Sequence, residues 1–344
     1  MKHLLLQAWT RRGWLACLLW PLSCVYAILV AARAWLYRSG LLHTTRFPVP
    51  VIVVGNVVAG GAGKTPVVIS VVHHLQSKGL KVGVVSRGYG RTSAAMTEVT
   101  ASTPLRDSGD EPALIHQATG APVVVAANRA QAVESLLKAH PHTQVVVSDD
   151  GLQHLAMGRD INIAVFDDRG LGNGWLLPAG PLRESWPLKG PGRIDLVLHT
   201  GQRPAFDGFT SSRDLMPHGV AADGHVTPLA ELAGQPLVAM AAIAHPEAFF
   251  TMLRARGLQL DEALALPDHH PLDTPDIVRL LSVHSGRTVL CTQKDAVKLF
   301  RLPAALGVRV LAVPLAFTPE PAFFAALDRL LAPHLTSAVS PLPS

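Results

Sequence analysis

Residues 49–66 read VPVIVVGNVVAGGAGKTP and restrict the fold more than any other part of the chain. A β-branched run, Val49–Val54, ends in a glycine-dense turn that passes through Lys64 and Thr65 into a helix predicted over Pro66–Lys78. A strand that turns this way leaves unpaired backbone N–H groups converging on one point, where the helix dipole also favours negative charge. Glycines let the main chain wrap a phosphate without Cβ collisions. Lys64 supplies a cation for the β- and γ-oxygens, and the Thr65 hydroxyl can ligate Mg²⁺. The phosphate-binding loop is therefore predicted over Val58, Ala59, Gly60, Gly61, Ala62, Gly63, Lys64 and Thr65. Val58 stands where the pattern G-x-x-x-x-G-K-[ST] places glycine, but the compact GGAGKT keeps the parts that meet phosphate.

Such a loop needs an acid at the end of a neighbouring strand to hold the metal. QVVVSDDGLQH, Gln144 to His154, offers Asp149 and Asp150 after an apolar run. Alone, this stretch reads as a strand closing in an Asp-Gly turn; beside the phosphate loop it reads as a metal-holding strand.

Around these two segments, β-branched runs alternate with helical stretches. Strands are predicted over Lys81–Ser86, Pro122–Ala126, Gln144–Ser148, Ile161–Phe166 and Ile194–His199, with a further helix over Arg129–Ala139. Strands that are apolar throughout, separated by helices, imply a mostly parallel sheet covered on both faces, an α/β fold of the P-loop NTPase type. From Gly201 to Thr227 the pattern dissolves into Pro, Gly, Ser and Asp, as in a linker or long loop, and the alternation then resumes through a smaller α/β unit. The predicted organisation is an N-terminal membrane-associating helix within 1–46, a P-loop core over 47–200, a linker over 201–227, a smaller α/β unit over 228–335 and a tail over 336–344.

The N-terminal segment Gly13–Ala32 holds no charge between Arg12 and Arg33. As a helix, its twenty residues would extend roughly 30 Å, the hydrocarbon thickness of a bilayer, with Pro21 expected to kink it. A membrane anchor competes here with a buried core helix and with a signal peptide; the last would export a nucleotide site. Lys and Arg flank the segment equally, so charge bias does not orient it. A formal charge of +5 suits anionic partners, whether phosphates, acidic lipid or nucleic acid. Three cysteines, two of them inside the apolar stretch, give neither a disulfide framework nor a zinc spacing.

Other stretches bear chemistry more quietly. SRGYGR, Ser86 to Arg91, closes the second strand at the ligand-binding edge, and its Arg87, Tyr89 and Arg91 suit an anionic sugar or lipid phosphate. GDEP, Gly109 to Pro112, places two carboxylates ahead of a helix; LPAGPLRE, Leu177 to Glu184, offers Arg183 and Glu184; PDHHP, Pro267 to Pro271, sets two histidines beside an acid. Singly, each reads as an ordinary cap or loop.

Together and in order, VVGNVVAGGAGKTP, VGVVSRGYGR, GDEP, SDDGLQH, GNGWLLPAGPLRE, PDHHP and TQKDAVK, behind the apolar helix, resemble the tetraacyldisaccharide 4'-kinases of Gram-negative bacteria, from about Leu15 to Leu331. The resemblance implies transfer of the γ-phosphoryl group of ATP to the 4'-hydroxyl of an acylated glucosamine disaccharide 1-phosphate. It implies that Val58–Thr65 hold ATP, that Thr65, Asp149, Asp150 and Glu111 handle Mg²⁺, and that Asp110 and His269 form the proton-accepting pair, with Lys64 on the phosphates. His269 is preferred to His270 because the Asp-His dipeptide is what matches. Arg87, Tyr89, Arg129, His154, Arg183 and Glu184 would line the disaccharide headgroup. The implied partners are the lipid substrate and membrane lipid, with no nucleic acid and no obligate protein partner, at the cytoplasmic face of the bacterial inner membrane. TQKDAVK places Lys294, Asp295 and Lys298 either near the nucleotide or at a strand end. A GGxGKT-class ATPase for cargo partitioning or metal delivery, and a membrane-tethered nucleotide sensor, are the competing expectations.

Overall fold

A computed structural model describes residues 7–188, 193–268, 270–272, 274–302 and 307–337. Helix α1, Trp14–Arg38, is followed by a seven-stranded sheet built from β1 (Val51–Gly55), β2 (Val82–Ser86), β3 (Thr97–Val99), β4 (Val123–Val125), β5 (Val145–Asp149), β6 (Ile161–Phe166) and β7 (Leu196–His199). Their order is β3-β4-β2-β5-β1-β6-β7, parallel except where β3 runs against β4. Six of these strands were predicted to within one or two residues at each end, and β3 was not predicted. β1, β2, β5 and β6 are buried at every position, so continuous Val/Ile runs rather than alternating ones are what a sheet covered on both faces requires.

Helix α2 (Lys64–Ser77) and helix α3 (Asp110–Thr119) cover one face, bringing Val67, Val71, Leu75 and Ile115 onto Ile52, Val84 and Val147. Helix α4 (Arg129–Ala139) covers the other with Ala132, Val133 and Leu136. Asn128 caps α4 by accepting from the amides of Ala130 and Gln131. Because β1 feeds β2 on one side and β5 feeds β6 on the other, the strand order reverses between β1 and β5, the crevice where open α/β sheets take their ligands.

A second sheet, which includes β9 (His218–Val220) and β10 (Val226–Pro228), has the order β10-β9-β14-β13-β11-β12. Four of its strands are parallel: β11 (Leu237–Ala241), β12 (Leu260–Ala265), β13 (Thr288–Thr292) and β14 (Arg309–Val313). Helix α5 (Pro246–Ala255) packs Phe249, Phe250 and Leu253 on one face, while α6 (Pro275–Val283) and α7 (Gln293–Leu299) cover the other.

Two findings depart from the predicted organisation. The stretch 201–227, expected to be a linker, holds β8 (Ser211–Leu215), β9 (His218–Val220) and β10, which begins at Val226. β8 pairs antiparallel with β15 (Leu315–Pro319) in a two-stranded ribbon between the sheets. A ribbon with an exposed face needs little apolar patterning, which is why SSRDL did not read as a strand. Helix α8 (Pro321–Ser337), expected in the smaller unit, packs Phe323, Leu327 and Leu331 into the core of the first sheet, with Asp328 bonded to His74 and Lys78 of α2 at 2.9 and 2.7 Å. Amphipathicity gives a helix an apolar face without saying which sheet receives it.

Helix α1 is continuous through Pro21 and is no core helix: only Ala16 and Ser23 are buried, while Trp14, Leu18, Ile28 and Leu29 are between 63% and 79% exposed. Polar ties hold its inner side to the body. Ser23 Oγ donates to the Leu176 carbonyl and accepts from the Ala179 amide, Tyr26 Oη donates to the Arg183 carbonyl, and Arg33 donates to the Gln153 carbonyl.

Candidate active site

The glycine loop is shaped from within by Asn56. Its amide nitrogen donates to the carbonyls of Val58 (2.6 Å) and Gly60 (3.3 Å), curling residues 56–60 ahead of α2. From outside, the chain at 181–183 pairs with it: the Ala59 amide donates to the Pro181 carbonyl and the Arg183 amide to the Val57 carbonyl, both at 2.7 Å. Gly63 adopts φ +72° as the N-cap of α2, a left-handed conformation that ordinary side chains resist. Lys64 opens the helix with its ammonium 3.6 Å from Asp150 and 3.5 Å from the Asn56 side-chain oxygen.

Asp149 ends β5 and Asp150 follows it, beside the loop. Asp150 has φ +50°, the left-handed region rare outside glycine, which turns its carboxylate toward Lys64 and Arg183; the Arg183 guanidinium lies at 3.3 Å. Burial by itself would raise the Asp150 pKa, but Lys64, Arg183 and Arg129 prevail and hold it below the usual carboxylate range. Asp149 is in the opposite condition. It is buried, accepts a hydrogen bond from Ser86 Oγ at 3.0 Å, and is pushed up to about 7 by burial first and then by the charges of Glu111 and Asp150. Uncompensated acidity of this kind fits a hard divalent cation. Among the described residues no three His, Cys, Asp or Glu side chains converge at metal-ligand spacing. Mg²⁺ nevertheless fits the donor set, since it takes one or two carboxylates and fills its octahedron with water and phosphate oxygens.

The second and third sequence blocks meet backbone to backbone. Gly88 (φ +67°) and Gly109 (φ +84°) approach so closely that a Cβ on Gly109 would fall 3.0 Å from the Tyr89 carbonyl oxygen. This contact sets Asp110 at the start of α3 beside the turn that carries Arg87 and Tyr89. Asp110 is ion-paired with Lys298 of α7 at 2.6 Å, each side chain only 12% exposed. With Tyr89, Arg106 and Pro271 they line a cavity of about 200 Å³. An open depression of about 290 Å³ adjoins it around Arg87–Ala94.

Arg129 is buried. Its terminal nitrogens donate to the carbonyls of Ala126 and Asp150, while its Nε has no partner among the described residues. His154 Nε2 accepts the Arg129 amide at 3.3 Å. Burial, followed by the neighbouring Arg129, Arg159, Arg33 and Arg87, lowers His154 to about 4, so it is neutral at pH 7. Glu184 is raised by burial despite Gln153, Arg159, Arg33 and Arg183 around it. The crevice thus sets Arg129 and Arg183 against Asp150, with Arg87 beside Arg129 and Glu111 beside Asp149.

The structure therefore brings Lys64, Asp149, Asp150, Arg129, His154 and Arg183 together, and sets Asp110 near Tyr89. His269, predicted as the partner of Asp110, lies outside the described residues, and the neighbouring His270 carbonyl accepts from Lys298 at 3.3 Å. TQKDAVK divides: Thr292 and Asp295 bond each other and close the strand, Lys294 pairs with Asp268, and Lys298 reaches the site. Sequence reasoning missed Asn56, which its place directly after the strand could have revealed. It also missed Arg169, whose Nη2 donates to the Gly61 carbonyl at 2.8 Å, and Arg213, which comes from the ribbon; no local pattern marks either.

Comparison with known proteins agrees with this geometry. The chain matches the model for tetraacyldisaccharide-1-P 4'-kinase over residues 15–332. It is 63% identical to a tetraacyldisaccharide 4'-kinase of Polaromonas naphthalenivorans, covering 100% of this chain and 98% of that one. It is 54% identical to one from Acidovorax sp., covering 94% and 93%. Among solved structures it is similar to the "apo" form of LpxK from Aquifex aeolicus in complex with ATP, with a TM-score of 0.75, 29% identity, and 92% and 99% of the two chains covered.

Proposed function

The chain belongs to the tetraacyldisaccharide-1-P 4'-kinase family, and from that premise we propose how its residues divide the work of phosphorylating the lipid A disaccharide precursor with ATP. The acceptor is the 4'-hydroxyl of a tetraacylated glucosamine disaccharide 1-phosphate, and the product is the bis-phosphorylated precursor. One observation carries the assignment: Lys64, Asp149 and Asp150 meet at the crevice between β1 and β5, with a cation 3.6 Å from one carboxylate and the other carboxylate pushed up to about 7.

In this reading the amides of Val58–Thr65 and the Lys64 ammonium hold the phosphates of ATP in line with the acceptor. Thr65, Asp149, Asp150 and Glu111 would hold Mg²⁺, which when bound would supply neutralisation of the phosphate charge. Asp110, fixed by Lys298, orients His269, whose imidazole takes the proton of the 4'-hydroxyl as that oxygen bonds to the γ-phosphorus and the bond to the β-phosphate oxygen breaks. Arg87, Tyr89, Arg129, His154, Arg183 and Glu184 line the headgroup; neutral His154 offers a hydrogen bond while the arginines meet the 1-phosphate.

The exposed apolar side of α1 seats the enzyme on the cytoplasmic face of the inner membrane, which concentrates a bilayer-confined substrate beside the crevice. The test is incubation of the purified full chain with γ-labelled ATP, Mg²⁺ and the tetraacylated disaccharide 1-phosphate. Label in the lipid supports the reading. Label only in free phosphate makes the protein an ATPase, and nucleotide binding without turnover makes it a sensor.

A further inference from the structure

The ribbon between the two sheets carries an arginine that the glycine loop is built to admit. Arg213 lies in the middle of β8, with its guanidinium carbon 5.8 Å from the centre of the Phe317 ring on the paired strand β15. That stack aims the side chain at the N-terminus of α2, where a Cβ on Gly63 would collide with Arg213 Nη2. Gly63 is required for its left-handed backbone, and the Arg213 guanidinium lies in the space that its missing side chain leaves open.

Among the described residues the Arg213 guanidinium makes no hydrogen bond and no close ion pair. Its nearest acids are already engaged. Asp167 is bonded to Arg169 at 2.8 Å, and Asp168 accepts the Arg203 amide at 2.7 Å. Arg169 differs from Arg213 in what it touches: it donates to the loop carbonyls of Ala59 and Gly61 and so braces the loop from behind. Arg213 has its donors uncommitted beside the residue that precedes Lys64. A guanidinium is a rigid planar fork of donors that suits the oxygens of a polyphosphate.

We propose that Arg213 is a further phosphate ligand for ATP, delivered to the glycine loop from the ribbon that joins the two sheets. The inference rests on the ATP-binding reading of that loop and adds a residue to it.

The experiment is titration of the full chain in detergent micelles with MgATP, MgADP and adenosine, for the natural protein and for Arg213→Ala, Arg213→Lys and Lys64→Ala. Loss of charge-assisted bonds to phosphate is expected to weaken ATP and ADP about tenfold or more in Arg213→Ala. Arg213→Lys is expected to recover part of that loss. Adenosine binding, KM for the disaccharide lipid and the melting temperature measured without nucleotide are expected to stay as in the natural protein. Unchanged ATP and ADP affinity in Arg213→Ala, with affinity lost in Lys64→Ala, overturns the inference and leaves the loop assignment standing. Unchanged affinity in both variants overturns the loop assignment and the inference together. A loss that lysine does not relieve and that lowers the nucleotide-free melting temperature equally makes Arg213 a structural brace, which also overturns it.

Discussion

Asp149 ends β5 of the first sheet and Asp295 follows β13 of the second, each buried at the carboxyl edge of its parallel strands. Asp295 is fully provided for. It accepts from the Thr292 hydroxyl at 2.7 Å and the Ala242 amide at 3.1 Å, and Thr292 in turn accepts its backbone amide. Burial raises its pKa, while these hydrogen bonds and Lys294 and Lys298 pull the other way. Asp149 receives one side-chain hydrogen bond, from Ser86, and faces Glu111 and Asp150 of its own sign. Residue type and place in the fold are alike, yet one acid closes a turn and the other strains against its neighbours. Electrostatic strain that Lys64 and Ser86 relieve only in part is the mark of a place meant for a ligand.

Four variants press on that contrast. The largest effect is expected from Lys64→Ala, which removes the cation shared by the loop and Asp150: transfer to lipid falls about 10³-fold with the melting temperature little changed, and rates near those of the natural protein would remove the first sheet's edge from the chemistry. Asp149→Asn is expected to lower transfer about 10²-fold through weaker Mg²⁺ dependence.

In metal-free buffer the same substitution stabilises the protein. A folded pKa of about 7, raised from 3.8, means that ionising Asp149 costs stability increasingly as pH climbs through that window. The denaturant midpoint of Asp149→Asn is therefore expected to rise above that of the natural protein from pH 4 towards 7. Asp295→Asn is expected to lose about 1–3 kcal/mol of stability as its buried hydrogen bonds are disturbed, while kcat changes little; a neutral stability result would dissolve the contrast between the two acids.

The smallest effect concerns His154. Its folded pKa of about 4 lies below the ordinary 6.5, so the unfolded chain binds more protons between those values, and stability drains as pH falls from 6.5 to 4. His154→Gln is expected to flatten that limb of the melting-temperature profile, and an unchanged slope would show that the arginines around it do not govern its titration.

Much of the first sheet and its loop was legible because the physics there is local. Val/Ile runs of this length read as doubly buried strands, and Gly60, Gly63, Lys64 and Thr65 mark the turn into a helix within a few residues. The Asp149–Asp150 pair was legible for the same reason. The ribbon was not, because β8 is specified by its pairing with β15 some hundred residues later, and Ser212, Arg213 and Asp214 are exposed, as a loop would be. Arg213 and Lys298 reach the site across the fold, so their roles are written in topology rather than spacing. TQKDAVK shows both cases within seven residues: Asp295 acts on its own turn, Lys298 on another sheet.

The placement of α8 has a consequence for synthesis. Phe323 and Leu327, fully buried against the first sheet, contribute about 1.5–3 kcal/mol each to its closure, yet they leave the ribosome after the whole second sheet has been made. The first sheet must therefore wait, one flank bare, until the second sheet has been made, so its core cannot close in the order of synthesis.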